Sequence, residues 1–127
     1  MFCAIVTALS GLAAIATPQS TAGITALLQR RMPNHVNDFS FKIANTSSLG
    51  VSNASLHDSY TVTSASNGTV HVQGTTISAL SQSLHRYLTD VLHLDIYWFV
   101  GSRLYLALTP LPAFNGTLIG SSVVQWR

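Results

Sequence analysis

Glutamate is absent from this 127-residue chain, and its four acidic residues are all aspartates: Asp38, Asp58, Asp90 and Asp95. Charged residues make up 8% of the sequence, about a third of the share in an average soluble domain. A glycosidase that works through a glutamate pair, or a metalloprotease of the HExxH type, cannot be written without glutamate. The basic residues are Lys42 and five arginines, scattered along the chain for a net charge of +2. No phosphate-tracking stripe results, so nucleic acid is not an expected partner. The length suits one domain and is too short for a complete (β/α)₈ barrel, which needs at least about 200 residues. There is no G-x-S-x-G elbow, Walker loop or G-x-G-x-x-G, which removes the usual signatures of a serine hydrolase or a nucleotide site. The five histidines, His35, His57, His71, His85 and His93, are not spaced as HxH, HxxH or HxxxH. They are expected at the surface or its rim, with no metal, no cofactor and no catalytic residue in this chain.

The N-terminus differs from the rest. Residues 2–16 are apolar or small and uncharged, a run of about 15 against the roughly 20 needed to cross a bilayer. Small residues and Pro18 follow, which reads as a secretory signal peptide over residues 1–22. Ala14-Ile15-Ala16 offers a cut after Ala16, and Ser20-Thr21-Ala22 a second after Ala22. Either cut removes Cys3, the only cysteine, leaving neither a disulfide nor a thiolate metal site. No other stretch is long and apolar enough to span, so no membrane association is expected after cleavage.

Four N-x-[ST] sequons follow, at Asn45, Asn53, Asn67 and Asn115. Six asparagines, with Ser and Thr at about 23% of residues, would produce between about one and two by chance. With the leader, they point to an N-glycosylated protein of the secretory pathway, extracellular or delivered to a lysosome or vacuole, with each sequon on the surface.

Past the leader, Ile24, Leu27 and Leu28 fall on one helical face, and Pro33 stops that short helix. Residues 34–37 read as a loop. Phe39, Phe41 and Ile43 alternate with Ser40 and Lys42 as a half-buried strand. Residues 45–58, rich in Ser and Asn, read as a surface loop. Tyr60 and Val62, then Val70 and Val72, form a hairpin around Asn67-Gly68. Parity sets its loop. A two-residue turn would put the valines on opposite faces, whereas a three-residue loop, residues 66–68, pairs Val62 with Val72 and Ser64 with Val70 and leaves Gly68 left-handed in a bulge. Thr75 or Thr76 then caps a helix carrying Ile77, Leu80, Leu84, Tyr87, Leu88, Val91 and Leu92 on one face. The dense apolar run 94–99 reads as a central strand. Strand, helix and strand here predict a right-handed βαβ unit. Gly101-Ser102 turns the chain into a last strand over residues 103–108, ended by Pro110 and Pro112.

These elements predict an α+β domain over residues 23–112: a small two-layer sandwich whose mixed sheet of about five strands carries one long and one short helix on one face. Residues 113–127 show weak local preference and read as a linker. With Leu104 and Leu106 facing the core, Tyr97, Phe99 and Tyr105 point outward from the uncovered sheet face. They are the candidate partner interface or sugar-stacking residues.

Particular residues carry a resemblance. Val72-Gln73-Gly74-Thr75-Thr76 followed by Leu84-His85-Arg86-Tyr87-Leu88 resembles the N-terminal domain of α-N-acetylglucosaminidase, glycoside hydrolase family 89. Leu27-Leu28 through Asp38-Phe39-Ser40 is similar to that family's first helix and strand. Trp98, Gly101-Ser102, Leu104 and Leu106 are similar to its hairpin, and Leu111-Pro112 and Trp126-Arg127 to the approach to its barrel. The resemblance covers about residues 24–127. It implies a non-catalytic accessory domain whose partner is a catalytic barrel. The parent activity would be hydrolysis of terminal α-linked N-acetylglucosamine by glutamates that this chain does not contain. The chain would then be a fragment, or a truncated or free-standing form, of a secreted or vacuolar enzyme. A stand-alone secreted carbohydrate-binding or interaction module, with a glycan as ligand, is the alternative.

Overall fold

In the computed structural model the described residues are 19–49, 58–94, 96–97 and 101–121, with backbone alone at 96–97 and 101–102. Residues 1–18, which hold most of the expected signal peptide, and Asn53, His57, Trp98, Phe99 and the terminal Trp126-Arg127 lie outside them. Helix α1 (Ala22–Arg31) is followed by a 3₁₀ turn (Pro33–Asp38), β1 (Phe39–Ile43), β2 (Ser59–Ser64), β3 (Val70–Gly74), helix α2 (Ile77–Asp90), β4 (Ile96–Tyr97), β5 (Gly101–Ser102) and β6 (Thr117–Ser121). No helix among the described residues is long and apolar enough to cross a membrane.

α1 is anchored by Ile24, Leu28 and Met32, all 3% exposed or less. They recur every four residues and form one ridge. Leu27, expected on the same face, falls beside that ridge and is 41% exposed. Arg30 and Arg31 occupy the last turn, where cations suit the helix dipole. Met32 leaves helical angles at φ −140° ahead of Pro33, as the proline ring requires. Residues 34–37 are then wound into the 3₁₀ turn rather than forming an irregular loop.

The sheet order is β1-β3-β2-β6. β2 and β3 form the hairpin with Val62 opposite Val72 and Ser64 opposite Val70, and Gly68 sits at φ +86°. The loop is therefore the three-residue form, because it alone keeps both valine pairs on the core face. β1 lies parallel to β3, and β6 antiparallel to β2. Phe41, Val72, Val62 and Leu118 thus form one cross-sheet rank on the helix side. By the same register Ser40, His71, Thr63 and Thr117 form a rank on the other side, next to Lys42, Gln73, Thr61 and Ile119. Tyr60 stands opposite Gly120, and a Cβ at Gly120 would fall on the Tyr60 ring.

α2 covers the sheet and touches all four of its strands. Thr76, not Thr75, is its cap: extended at φ −142°, it accepts the Ala79 N–H on Oγ1 at 3.1 Å. Thr75 instead closes the hairpin, donating its N–H to the Ser59 carbonyl at 2.9 Å and accepting the Ser59 N–H on Oγ1 at 3.0 Å. At Gly74 a Cβ would come 3.1 Å from the Leu80 nitrogen, so glycine lets the first turn of α2 seat on the end of β3. Ala79, Leu80, Leu84, Tyr87 and Leu88 are buried against Val62, Val70 and Val72, the three valines at 0% exposure. Each such side chain contributes roughly 1.5–3 kcal/mol.

Three expectations need correction. The sheet has four strands rather than about five. Its parallel pair is β1 and β3; Ile96–Tyr97 pairs antiparallel with Gly101–Ser102 in a separate ribbon. Among the described residues, then, no strand–helix–strand crossover over α2 joins the main sheet. Residues 104–106 form a 3₁₀ turn, not a strand, and the fourth strand is Thr117–Ser121, within the stretch assigned to a linker. An apolar run such as 94–99 suits a central strand of the main sheet or a strand of a separate ribbon equally well, since periodicity does not separate the two.

His93 lies beyond the end of α2, in the left-handed region at φ 52°. It lets the Leu94 N–H reach the Leu88 carbonyl at 2.8 Å, through a left-handed residue at a helix end that is usually glycine. Replacing His93 with glycine should stabilise the chain by about 1 kcal/mol, because it removes the Cβ strain of that conformation. A urea melt reads this out, and an unchanged or lowered midpoint would contradict it.

Candidate interaction surface

The segment after β5 is held by two buried leucines, Leu104 at 6% and Leu111 at 4% exposure. Between them the 3₁₀ turn points Tyr105 and Leu106 outward, at 81% and 53% exposed, and Leu108 just beyond it is 68% exposed. Beside them a groove of about 230 Å³ is lined by Val91, Leu92, Leu94, Leu106, Leu108 and Pro112. The strip and the groove form one apolar surface at the C-terminal end of α2. Such a surface rimmed by polar residues marks an interaction site.

Tyr105 points outward as expected, though from a helical turn rather than a strand. That difference exposes Leu106, which strand alternation would have buried. The side chain of Tyr97 and all of Phe99 lie outside the described residues. The uncovered sheet face is not the aromatic one: by register it carries Ser40, Lys42, Thr61, Thr63, His71 and Gln73, with no ring other than the His71 imidazole among the described residues.

The apolar strip is tied down from behind by a histidine that sequence reasoning placed at the surface. His35 is only 4% exposed. Its Nδ1 lies 2.7 Å from Asp38 Oδ2 and its Nε2 3.5 Å from Thr109 Oγ1. A carboxylate only accepts, so Nδ1 carries the proton and donates it; in the neutral ring Nε2 then accepts from the Thr109 hydroxyl. The order Asp–His–Thr is that of a nucleophile relay. The 3.5 Å contact sits at the limit of hydrogen bonding, which suits a strap between the 3₁₀ turn Pro33–Asp38 and the strip. Pro33, at the start of the turn, with His35 and Asp38 three residues apart is the only local signal for this pair. Thr109, 74 residues away, could not be read from it. Among the other histidines, His85 and His93 are exposed and His71 is half-buried. No cluster of three or more His, Cys, Asp or Glu capable of holding a metal occurs among the described residues.

Tyr87 forms the floor between these parts. Its ring meets Phe39 edge-on at 5.6 Å and tilts against Phe114 at 5.7 Å. Its hydroxyl is buried without a hydrogen-bond partner, as is Thr61 Oγ1. Burial, and then the negative charge of Asp38, push the Tyr87 phenol up to about 12.

The sequons are placed by the same frame. Asn45, Asn67 and Asn115 are exposed. Asn67 stands at the hairpin tip, where its Oδ1 accepts the Thr69 N–H at 3.0 Å.

A family profile described as the α-N-acetylglucosaminidase (NAGLU) N-terminal domain matches residues 22–113. The chain belongs to this family. The match spans both helices, the strands β1 to β5 and the apolar strip, and it stops short of β6. Solved structures of similar fold include a family 89 glycoside hydrolase from Clostridium perfringens in complex with PUGNAc, at 18% identity and a TM-score of 0.67 over 80% of this chain. The same description in complex with 2-acetamido-1,2-dideoxynojirmycin matches at 19% and 0.69 over 84% of this chain. A third, from the same organism and bound to its substrate GlcNAc-α-1,4-galactose, matches at 19% and 0.69. The chain spans 11% of the length of each of these structures. A comparison with curated proteins finds no match. The α-N-acetylglucosaminidase N-terminal domain is thus a small α+β unit, here with three of the five exposed large apolar side chains among the described residues gathered on one strip.

Two outcomes follow for the groups beneath that strip. In the folded chain the Tyr87 phenol stays protonated up to about pH 12 against about 10 when unfolded. The stability this represents is fully present below pH 10 and is lost as pH rises from 10 to 12. Tyr87→Phe deletes an unpartnered hydroxyl and should leave stability at pH 7 within about 1 kcal/mol of wild type or above it. It should also flatten the alkaline loss in melts at pH 9 to 12; an equally steep loss would contradict the assignment. His35→Ala leaves Asp38 without its partner and should cost about 1–3 kcal/mol. Hydrogen exchange should speed up over residues 104–112, and unchanged exchange there would remove the strap.

Proposed function

We propose that this chain is the non-catalytic accessory part of a secreted or vacuolar α-N-acetylglucosaminidase, and that it seats against the catalytic portion through Tyr105, Leu106 and Leu108. The observation that carries this is the gathering of exposed apolar side chains at 81%, 53% and 68% on a domain whose family forms the N-terminal portion of a larger enzyme. Covering them would remove apolar surface from water at about 25 cal/mol per Å². The open face of the sheet offers less, with Ile119 its single exposed large apolar side chain among the described residues. Hydrolysis of terminal α-linked N-acetylglucosamine would be the work of the larger enzyme. The Clostridium perfringens relative, whose substrate is GlcNAc-α-1,4-galactose, supports that substrate class.

Secretion is part of the same reading. It is supported by the apolar, uncharged residues 2–16 and by four sequons, of which Asn45, Asn67 and Asn115 are exposed. The reading as a stand-alone sugar-binding module needs Tyr97, Phe99 and Tyr105 to act as one platform. Of these, Tyr105 is flanked by leucines rather than by hydrogen-bonding groups, which favours a protein partner.

The test joins the chain in frame to the catalytic portion of a family 89 glycoside hydrolase and assays a chromogenic N-acetyl-α-glucosaminide. Leu106→Asp with Leu108→Asp should lower the yield of soluble active enzyme at least about fivefold, the equivalent of roughly 1 kcal/mol at the contact. The same double variant of the chain alone should melt like wild type, since both side chains already face water. An undiminished yield would contradict the docking surface. The purified chain alone should give no turnover.

A further inference from the structure

The two candidate cuts behind the leader, after Ala16 and after Ala22, are equivalent by sequence rule but not by structure. α1 begins at Ala22, so residues 20–22 belong to the start of a helix. Ser20 accepts the Ala22 N–H on Oγ at 3.2 Å. The Thr21 carbonyl accepts both the Thr25 N–H at 3.1 Å and the Thr25 hydroxyl at 3.1 Å. The first N–H groups of a helix have no partner within it; Ser20 meets that of Ala22, and Thr21, the cap residue by position, supplies the carbonyl of the first helical bond and makes no side-chain cap bond. This first turn places Ile24, which is 2% exposed and sits in the core with Leu28.

A cut after Ala22 would remove the Ser20 acceptor, the Thr21 carbonyl and the first helical residue together. It would leave Gly23, the residue with the least commitment to helix, one position ahead of the buried Ile24. It would also create an ammonium group at the positive end of the helix dipole, where a cation is unfavourable. A cut after Ala16 leaves all of these groups in place.

We propose that Ser20 and Thr21 stay on the mature chain as the cap of α1. The leader is removed by hydrolysis of the Ala16–Thr17 bond, and the Ala22–Gly23 bond is left whole. In that step one water is added across the peptide bond, leaving the Ala16 carboxylate on the leader and the Thr17 amine on the domain. The inference rests on the secretory reading above, and the experiment separates the two.

The full chain, with its own N-terminus and a C-terminal tag, is expressed in a eukaryotic secretory host. The product is deglycosylated, and its first residue is read by intact mass and N-terminal peptide sequencing. A secreted product beginning at Thr17 is the expected result. One beginning at Gly23 overturns the proposal while leaving secretion standing. A cell-retained product that keeps the leader overturns the secretory reading and the proposal with it. A second measurement checks the structural premise directly. Chains produced to begin at Thr17 and at Gly23 are melted side by side, and the shorter should melt at least about 4–8 °C lower. Equal melting temperatures would overturn the capping role of Ser20 and Thr21.

Discussion

The contact on which the other parts depend is the seat of α2 on the β2–β3 hairpin. Leu80, Leu84, Tyr87 and Leu88 meet Val62, Val70 and Val72, and all of them are buried. The hairpin presents its valines on one side only because its loop has three residues. Gly74 leaves room for the first turn of the helix, since a Cβ there would come 3.1 Å from the Leu80 nitrogen, and Thr76 caps it. α1 and β1 then complete one flank, and β6 the other.

From that frame the apolar strip follows. α2 stops at Asp90, and His93 turns the chain so that Leu94 returns to the core. Leu104 and Leu111 pin the next segment, so Tyr105, Leu106 and Leu108 have no inward side left to them. The His35–Asp38 pair holds this segment from below through Thr109. By contrast the open sheet face is hydroxyl, amide, imidazole and one ammonium group, with Ile119 its one exposed large apolar side chain among the described residues. Water covers that face at little cost, whereas the strip is where a second surface would gain most.

How much was legible in the sequence varied with how local the cause was. The hairpin register follows from residue parity alone, and the α2 face from its three- and four-residue spacing. Pro33 marks the end of α1 for a steric reason. β6 was not legible, because Thr117–Ser121 is an edge strand with no fully buried position and with Gly120 making room for Tyr60 across the sheet. Residues 94–99 misled because short apolar runs look alike whatever they pair with. His35 was misplaced because its partner Thr109 is 74 residues away, and no spacing rule reaches that far. The outward direction of Tyr105 was anticipated, but the exposure of Leu106 and Leu108 depends on a 3₁₀ turn that alternation does not foresee.

Hydroxyl-radical footprinting of Tyr105 tests the account most directly. The side chain is read by mass spectrometry in the chain alone and in the same chain joined to a family 89 catalytic portion. Tyr105 should oxidise readily in the first and be protected in the second, while His71 on the open sheet face reacts alike in both. Equal oxidation of Tyr105 in the two, or protection of His71 instead, would contradict the assignment of this strip as the surface that the rest of the enzyme covers.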